Sequence, residues 1–459
     1  MKRLTSWILA LSIMLSIGFS LVGCGKKVAA LNGVELSKFS IVYSAEDGDY
    51  SLRAAEYLKA EIFARTGIDL PLVEDSDNVA TEYEIVVGET EREISSRLNA
   101  DTVGTQFAIL AEDGGIALEG DYFIIAAAAY FFVNTYIPSA NYSATVPMGI
   151  SVHEPIVKDA KNIIMLIGDG MGVEQTKLYG VLEDTLKLGD GEDKFYGYYL
   201  PYQAFSRTDS LSGTTDSAAG GTALSCGIKT VNSFIGQDKD NKDVKSFTEL
   251  AISLGKSTAV MSTEASTGAT PATFSAHTTE RKESEEILAD QKSLTDTYGT
   301  VINCEYDYYT VRGIDIIEQK LTETIDKIDN NEKGFFLMYE EAYIDKHSHA
   351  NDKNKLFRAV IRFNQVIGRV MEYAFYNPDT FVLITADHET GGLNIDDSGK
   401  IKFSSTEHTS ANVPVFAYGK GGEVFGGKTI ENIQIPQTLA TFWDVTDFGD
   451  QSEYKPLNK

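Results

Sequence analysis

Within Thr214-Thr215-Asp216-Ser217-Ala218-Ala219-Gly220-Gly221-Thr222-Ala223-Leu224 a single hydroxyl, that of Ser217, stands between a carboxylate and a run of small residues. Small neighbours let a substrate approach the backbone, and the alanine-rich continuation favours a helix that ends near Gly227. The N-terminus of such a helix presents free N–H groups and a partial positive charge, which suits phosphate or another anion. Ser217 then reads as a nucleophile. An Asp-Ser pair before small residues is also an ordinary helix N-cap, and the stretch alone leaves both readings open.

Further donors recur where apolar runs end. The run 163–167 stops at Gly168-Asp169-Gly170-Met171-Gly172. A carboxylate between glycines at the end of a buried strand sits where open α/β sheets bind ligands, or it closes a glycine-rich turn. The run 334–339 leads to Glu340, and 380–385 leads to Asp387-His388. Asp345 and His349 are four apart and share one face of a helix or turn, and His408 lies twenty residues beyond His388. The chain has six histidines, and three of them fall at these carboxylate-rich exits. Mixed imidazole and carboxylate donors suit zinc. Asp169, Thr270 and Glu340 offer oxygen alone and suit magnesium.

These donors need a scaffold. Helix 246–254 runs into strand 257–261, helix 354–376 joins strands 334–339 and 380–385, and 413–418 reads as a strand after His408. Repeated βα order with apolar strands predicts an α/β domain over 158–459, its largely parallel central sheet covered by helices on both faces. Ahead of it, 31–157 reads as a small α/β domain. Its signals are strand 39–43, helix 52–65 stopped at Thr66-Gly67, strand 84–87, a hairpin of 106–110 with 116–119, and helix 122–136 ending before Pro138. No catalytic cluster falls there, so a spacer or docking module is expected.

A length of 459 residues exceeds one ordinary core and calls for two or three domains. The formal charge of -27 argues against nucleic acid as a partner and means that an anionic substrate needs local positive charge, such as bound cations. Met1-Lys2-Arg3 and the apolar stretch 7–22 form a secretory leader. Leu21-Val22-Gly23-Cys24 resembles the lipobox of bacterial lipoproteins. It implies a signal peptide 1–23, lipidation of Cys24, a linker 24–30, and a chain held outside the cytoplasm by a lipid anchor in the membrane; a retained signal anchor is the alternative. Cys226 and Cys304 are expected as free thiols rather than a disulfide.

Six motifs together resemble the alkaline phosphatase family, in its order and over roughly residues 160 to 445: Gly168-Asp169-Gly170-Met171-Gly172; Thr215-Asp216-Ser217-Ala218-Ala219; Ala269-Thr270-Pro271 with Arg281; Glu340 with Asp345-Lys346 and His349; Thr385-Ala386-Asp387-His388-Glu389; and His408-Thr409. The resemblance implies one zinc held by Asp345, His349 and His408, a second held by Asp169, Asp387 and His388 beside Ser217, and magnesium near Asp169, Thr270 and Glu340. It implies that Arg281 grips two phosphate oxygens with its planar fork, and that Lys346 reaches the phosphate through water or metal. The activity implied is extracytoplasmic hydrolysis of phosphate monoesters through a phosphoserine.

Rivals are a phosphodiesterase, pyrophosphatase or sulfatase of the same superfamily, and a non-catalytic surface-binding lipoprotein. The first two usually lack the Arg281 and Glu340 features, sulfatases use a modified residue in another motif, and the last predicts lost ligands, of which there are none. Two departures stand out. Gly268 occupies the place, two residues before Thr270, where the family commonly has Asp or His. The stretches 281–340 and 388–408 are short for the family, which implies a trimmed rim. His153, His277 and His347 match no metal position and read as surface or helix-capping residues. Residues 31–157 resemble, loosely, domains that precede exported bacterial glycoside hydrolases, so carbohydrate is the partner class considered for them. A homodimer is left open.

Overall fold

The computed structural model describes residues 29–44, 48–76, 80–137, 143–186, 194–305, 313–396 and 398–458. The leader, Cys24 and most of the linker lie outside them. Among the described residues no helix is long and apolar enough to cross a membrane. The chain divides into two units, one of residues up to Ile156 together with Met371–Pro378, the other of Val157–Val370 and Asp379–Lys459. Met371–Pro378 group with the first unit because Tyr376 stacks on Tyr57 at 4.1 Å and Phe375 on Phe123 at 5.9 Å between ring centroids.

The first unit is built on strands β1 Phe39–Tyr43, β2 Leu72–Glu74, β3 Tyr83–Val87, β4 Phe107–Glu112, β5 Gly115–Glu119 and β6 Gly149–His153, in the order β2-β1-β3-β5-β4-β6. The first four in that order are parallel, and β4 runs against both β5 and β6. Helices Gly48–Thr66 and Ile125–Tyr136 belong to the same unit.

In the second unit eight strands form one sheet: β7 Asn162–Gly168, β8 Tyr202–Arg207, β9 Ser257–Ser262, β10 Val301–Cys304, β11 Phe335–Glu341, β12 Thr380–Thr385, β13 Val413–Tyr418 and β14 Thr429–Glu431, in the order β10-β9-β11-β7-β12-β13-β8-β14. Among the described residues only β13 opposes its neighbours in this sheet. Helices cover both sides of the sheet. Ile163, Met165 and Ile167 share a core with Phe247, Leu250, Phe336 and Leu439, while the alternate Ile164 and Leu166 are just as buried. With both faces covered, β7 has no polar alternation to show, and each such side chain contributes about 1.5–3 kcal/mol on burial.

Register decides what this sheet can hold. Ile167 of β7 lies opposite Glu340 of β11 and opposite Thr385 of β12, and Ser262 of β9 also lies opposite Glu340. Four parallel strands therefore end level, and the segments that leave them start from one edge. Cys226 is buried at the end of helix Ser217–Cys226, and both it and Cys304 are free thiols.

His277 corrects the sequence reading, since it is an internal tie and not a surface or capping residue. Its Nδ1 meets the Gly236 carbonyl at 2.8 Å and its Nε2 meets Glu249 Oε1 at 3.2 Å. Glu249 also closes the capping box on Ser246, at the start of the helix Phe247–Ser253 that carries Phe247 into the core. Burial alone would lower the pKa of His277, but the bond to Glu249 and its charge outweigh it and hold the imidazole at about 9. A folded value above the unfolded one of about 6.5 stabilises fully below pH 6.5 and is lost as the pH rises through 9. We expect about 1–2 kcal/mol of such loss, after allowance for solvent screening at Glu249. Urea unfolding of wild type and His277→Gln at pH 6 and pH 10 measures it; the variant should lack that part of the decline, and the same decline in both proteins would refute the pairing.

Candidate active site

The level strand ends bring the donors together. Asp169 follows β7, Glu340 lies within β11, helix Tyr343–His349 carries Asp345 and His349 on one face, and Asp387-His388 follow β12. The turn after β7 needs glycine at 170. Its φ is 72°, and a Cβ there would meet the Asp345 Cα and the Thr390 hydroxyl at 2.8 Å. That close approach lets the Gly170 N–H donate to Asp387 Oδ1 at 3.2 Å.

The sequence left Ser217 as either N-cap neighbour or nucleophile, and the local geometry accommodates both. Asp216 is the N-cap, accepting from the Ala219 N–H at 3.0 Å, and Gly227 ends the helix in the left-handed region at φ 69°. Ser217, the first helical residue, is buried, with its Oγ 3.2 Å from His388 Nε2. Asp216 does more than cap. Its Oδ2 accepts from the Ser233 N–H at 3.0 Å and from Arg281 Nη1 at 3.1 Å, so the carboxylate that starts the helix also fixes the guanidinium.

Three imidazoles converge. His408 Nδ1 donates to the Thr215 carbonyl at 2.9 Å, and His349 Nδ1 donates to the Thr406 carbonyl. His388 Nδ1 faces Thr390 Oγ1 at 3.3 Å, whose own proton goes to Asp345. Each neutral ring thus carries its proton on Nδ1 and presents the Nε2 lone pair inward, the arrangement that prepares histidine to ligate. His349 Nε2 and His408 Nε2 lie 3.3 and 3.5 Å from Asp345 Oδ1 and 3.1 Å from each other. His388 Nε2 lies 3.5 Å from Asp169 Oδ1 and 3.2 Å from Asp387 Oδ2. Among the described residues two donor groups meet metal-binding geometry, Asp345 with His388 and His408, and Asp169 with Asp387 and His388, so His388 stands between them.

Charge explains what this cluster needs. Burial, then the charges of Asp387 and Asp345, push Asp169 well above the ordinary carboxylate range. Burial, then the charge of Glu264, does the same to Glu340. For Asp345 burial is outweighed by the positive charge that His408 and His388 carry when protonated and by the bond from the Thr390 hydroxyl, which together hold it at about 2. Adjacent glutamates of β11 fare differently because successive side chains point to opposite faces. Glu341 is paired with Arg362 at 2.8 Å, whereas Glu340 accepts from the Ser262 hydroxyl at Oε2 and has no cationic partner among the described residues.

Asp169 Oδ1, Asp387 Oδ2, Thr270 Oγ1 and Glu340 Oε1 are all buried and make no hydrogen bond to any described residue. Orphaned oxygens of this kind are costly unless a cation completes them. The residues present therefore fit two sites with imidazole and one with oxygen alone.

Above the cluster opens a cavity of about 540 Å³, lined by Ser217, Arg281, Asp345, His349 and His408 among others. Asn232 and Glu407 line it too, and the sequence reading missed both. Asn232 is held by the Ser210 hydroxyl at 2.7 Å and donates to the Thr214 carbonyl at 3.1 Å, long-range pairings that no local pattern announces. Thr390 and Glu389 were missed as positioning residues. Glu389 accepts from Gln175 at 2.9 Å and from Thr409, and the short ladder of Glu389–Thr390 with His408–Thr409 carries His408 back to the site. Lys346 is not among the cavity-lining residues; its ammonium pairs with Glu264 and lies 4.6 Å from the centre of the Tyr343 ring.

The sequence profile of the family described as Alkaline phosphatase matches residues 160–317 and 316–403. Alkaline phosphatase 3 of Bacillus subtilis is 30% identical over an alignment of 339 residues that covers 62% of this chain and 72% of that protein. The alkaline phosphatase of Escherichia coli is 25% identical over 384 residues, covering 57% of this chain and 82% of its own. Among solved structures, the alkaline phosphatase from the Antarctic bacterium TAB5 superposes with a TM-score of 0.55 at 27% identity, covering 62% of this chain and 99% of that one. A variant of that enzyme described with Mg bound superposes with a TM-score of 0.53 at 28% identity.

If cations complete the orphaned oxygens, they bind the folded state alone. Stripping divalent ions with a chelator should lower the unfolding midpoint, by about 2.7 kcal/mol of stability for each ion previously present at a hundred times its Kd. Zinc should restore it. Differential scanning calorimetry on stripped and reloaded protein makes the comparison, and an unchanged midpoint would contradict the fit.

Proposed function

This chain belongs to the alkaline phosphatase family, and from that premise we propose that it hydrolyses phosphate monoesters through a phosphoserine formed on Ser217. The observation that carries the reading is the position of Ser217 Oγ, at a helix N-terminus and 3.2 Å from His388, under a cavity that Arg281 also lines.

Asp345, His349 and His408 would hold one zinc, Asp169, Asp387 and His388 a second, and Asp169, Thr270 and Glu340 a magnesium. Bound there, the cations would lower the pKa of the serine hydroxyl and neutralise charge on the attacking and leaving oxygens. The chain's own residues supply position. Asp216 sets both the start of the helix and the guanidinium of Arg281, so nucleophile and phosphate grip are held by one carboxylate. The other guanidinium nitrogens make no hydrogen bond to a described residue, and Arg281 is 32% exposed toward the cavity. Its planar fork suits two terminal oxygens of a phosphoryl group. A monoester offers three such oxygens and about two negative charges; a diester has one of the three capped, which crowds the arginine and removes charge from its partner. The lipobox-like leader supports a location outside the cytoplasm for this activity.

Wild-type protein quenched during turnover should carry phosphate on Ser217, and Ser217→Ala should lose nearly all turnover while keeping its metals. Arg281→Ala should slow monoester hydrolysis by about 2–4 kcal/mol of transition-state stabilisation, roughly 30- to 1,000-fold, and affect diesters much less. Values of kcat/KM for both substrate classes in both proteins decide it. Equal losses, or a wild type that prefers the diester, would overturn the monoesterase reading.

A further inference from the structure

Position 268 lacks a side chain for no backbone reason. Gly268 has φ -59° and ψ 154°, which any residue can adopt. What a side chain would meet is Glu264, whose Oε1 lies 1.9 Å from where a Cβ would stand. Glu264 follows β9 and its N–H donates to Ser262 Oγ at 3.0 Å, the same hydroxyl that donates to Glu340. Its carboxylate is 16% exposed and pairs with Lys346. Thr270, two residues beyond Gly268, and Glu340, which shares the Ser262 hydroxyl with the Glu264 N–H, each hold a fully buried oxygen without a hydrogen-bond partner among the described residues, Thr270 Oγ1 and Glu340 Oε1.

We propose that Glu264 reaches back to fill the room left at Gly268 and serves as an additional carboxylate of the oxygen-donor cation site formed by Asp169, Thr270 and Glu340, with Lys346 holding it in place. The inference rests on the metal reading given under the proposed function. With Glu264 added at its margin, the set of Asp169, Thr270 and Glu340 stays all-oxygen, which favours a hard divalent ion over zinc. Because Lys346 shares the same carboxylate, filling of the site and the placement of that ammonium are linked. Glu264 is thus a positioning residue for Lys346 as well as a donor toward the ion.

The arrangement makes a test that does not depend on turnover. Zinc-loaded full-length protein is titrated with Mg²⁺ in a calorimeter, and zinc content is measured in parallel. Glu264→Gln should weaken magnesium binding by about 10- to 100-fold and leave zinc content unchanged. Gly268→Ala should do much the same, because the new methyl group takes the seat of a flexible carboxylate without straining the backbone. The double variant Glu264→Ala with Gly268→Asp should regain magnesium affinity, since an aspartate then has room to supply the missing charge. Wild-type affinity in Glu264→Gln, or no recovery in a folded double variant that keeps its zinc, would overturn the role of Glu264. A wild type that binds zinc but no magnesium would instead overturn the oxygen-donor site itself, and this proposal with it.

Discussion

Repulsion between buried carboxylates is the constraint around which the second unit is arranged. Asp169, Glu340 and Asp387 are 5%, 0% and 0% exposed and come from adjacent parallel strands. Two like charges 4 Å apart repel by about 4 kcal/mol even at an effective dielectric of 20. No arginine or lysine pairs with any of the three among the described residues, although Arg362 neutralises Glu341 one position away. The fold thus keeps cationic side chains from these oxygens while supplying three inward imidazole lone pairs, a donor set that bound cations would complete. A parallel sheet is the means, because every strand in it delivers its exit to the same edge.

Asp216 shows how a bland local role and a functional one can coincide. As an N-cap it satisfies an N–H that any helix start must satisfy. The same carboxylate orients Arg281 and the backbone at Ser233. A cap is therefore no argument against a nucleophile next to it, since a site built at a helix N-terminus needs that terminus fixed.

Much of the sheet was legible because burial on both faces removes polar alternation: 163–167 and 380–385 read as strands from their composition alone. The donors were legible where they follow such runs, at Asp169 and at Asp387-His388. β8 was not, since its residues alternate between buried and exposed at a sheet position set by pairing with β13 and β14, far away in sequence. The opposed direction of β13 was invisible for the same reason, as direction is a property of connections and not of composition. Asn232, Thr390 and Glu264 reach the site through contacts between distant segments. Glu264 left only an indirect trace, the missing side chain at Gly268. His277 misled because an imidazole held by a single glutamate 28 residues away has no local signature.

The two imidazole-bearing groups differ in how they meet water. His388 and Asp387 are sealed, and Asp169 is 5% exposed, whereas the His349 side chain is 37% exposed and belongs to a helix of seven residues. Opening that short helix frees Asp345 and His349 together and leaves the sheet untouched; releasing Asp387 and His388 means loosening the sheet's own edge. Ion exchange at the two positions should consequently run on separate clocks. The outer position turns over with the local motion of one helical turn or two, and the inner one keeps its ion for as long as the core stays closed.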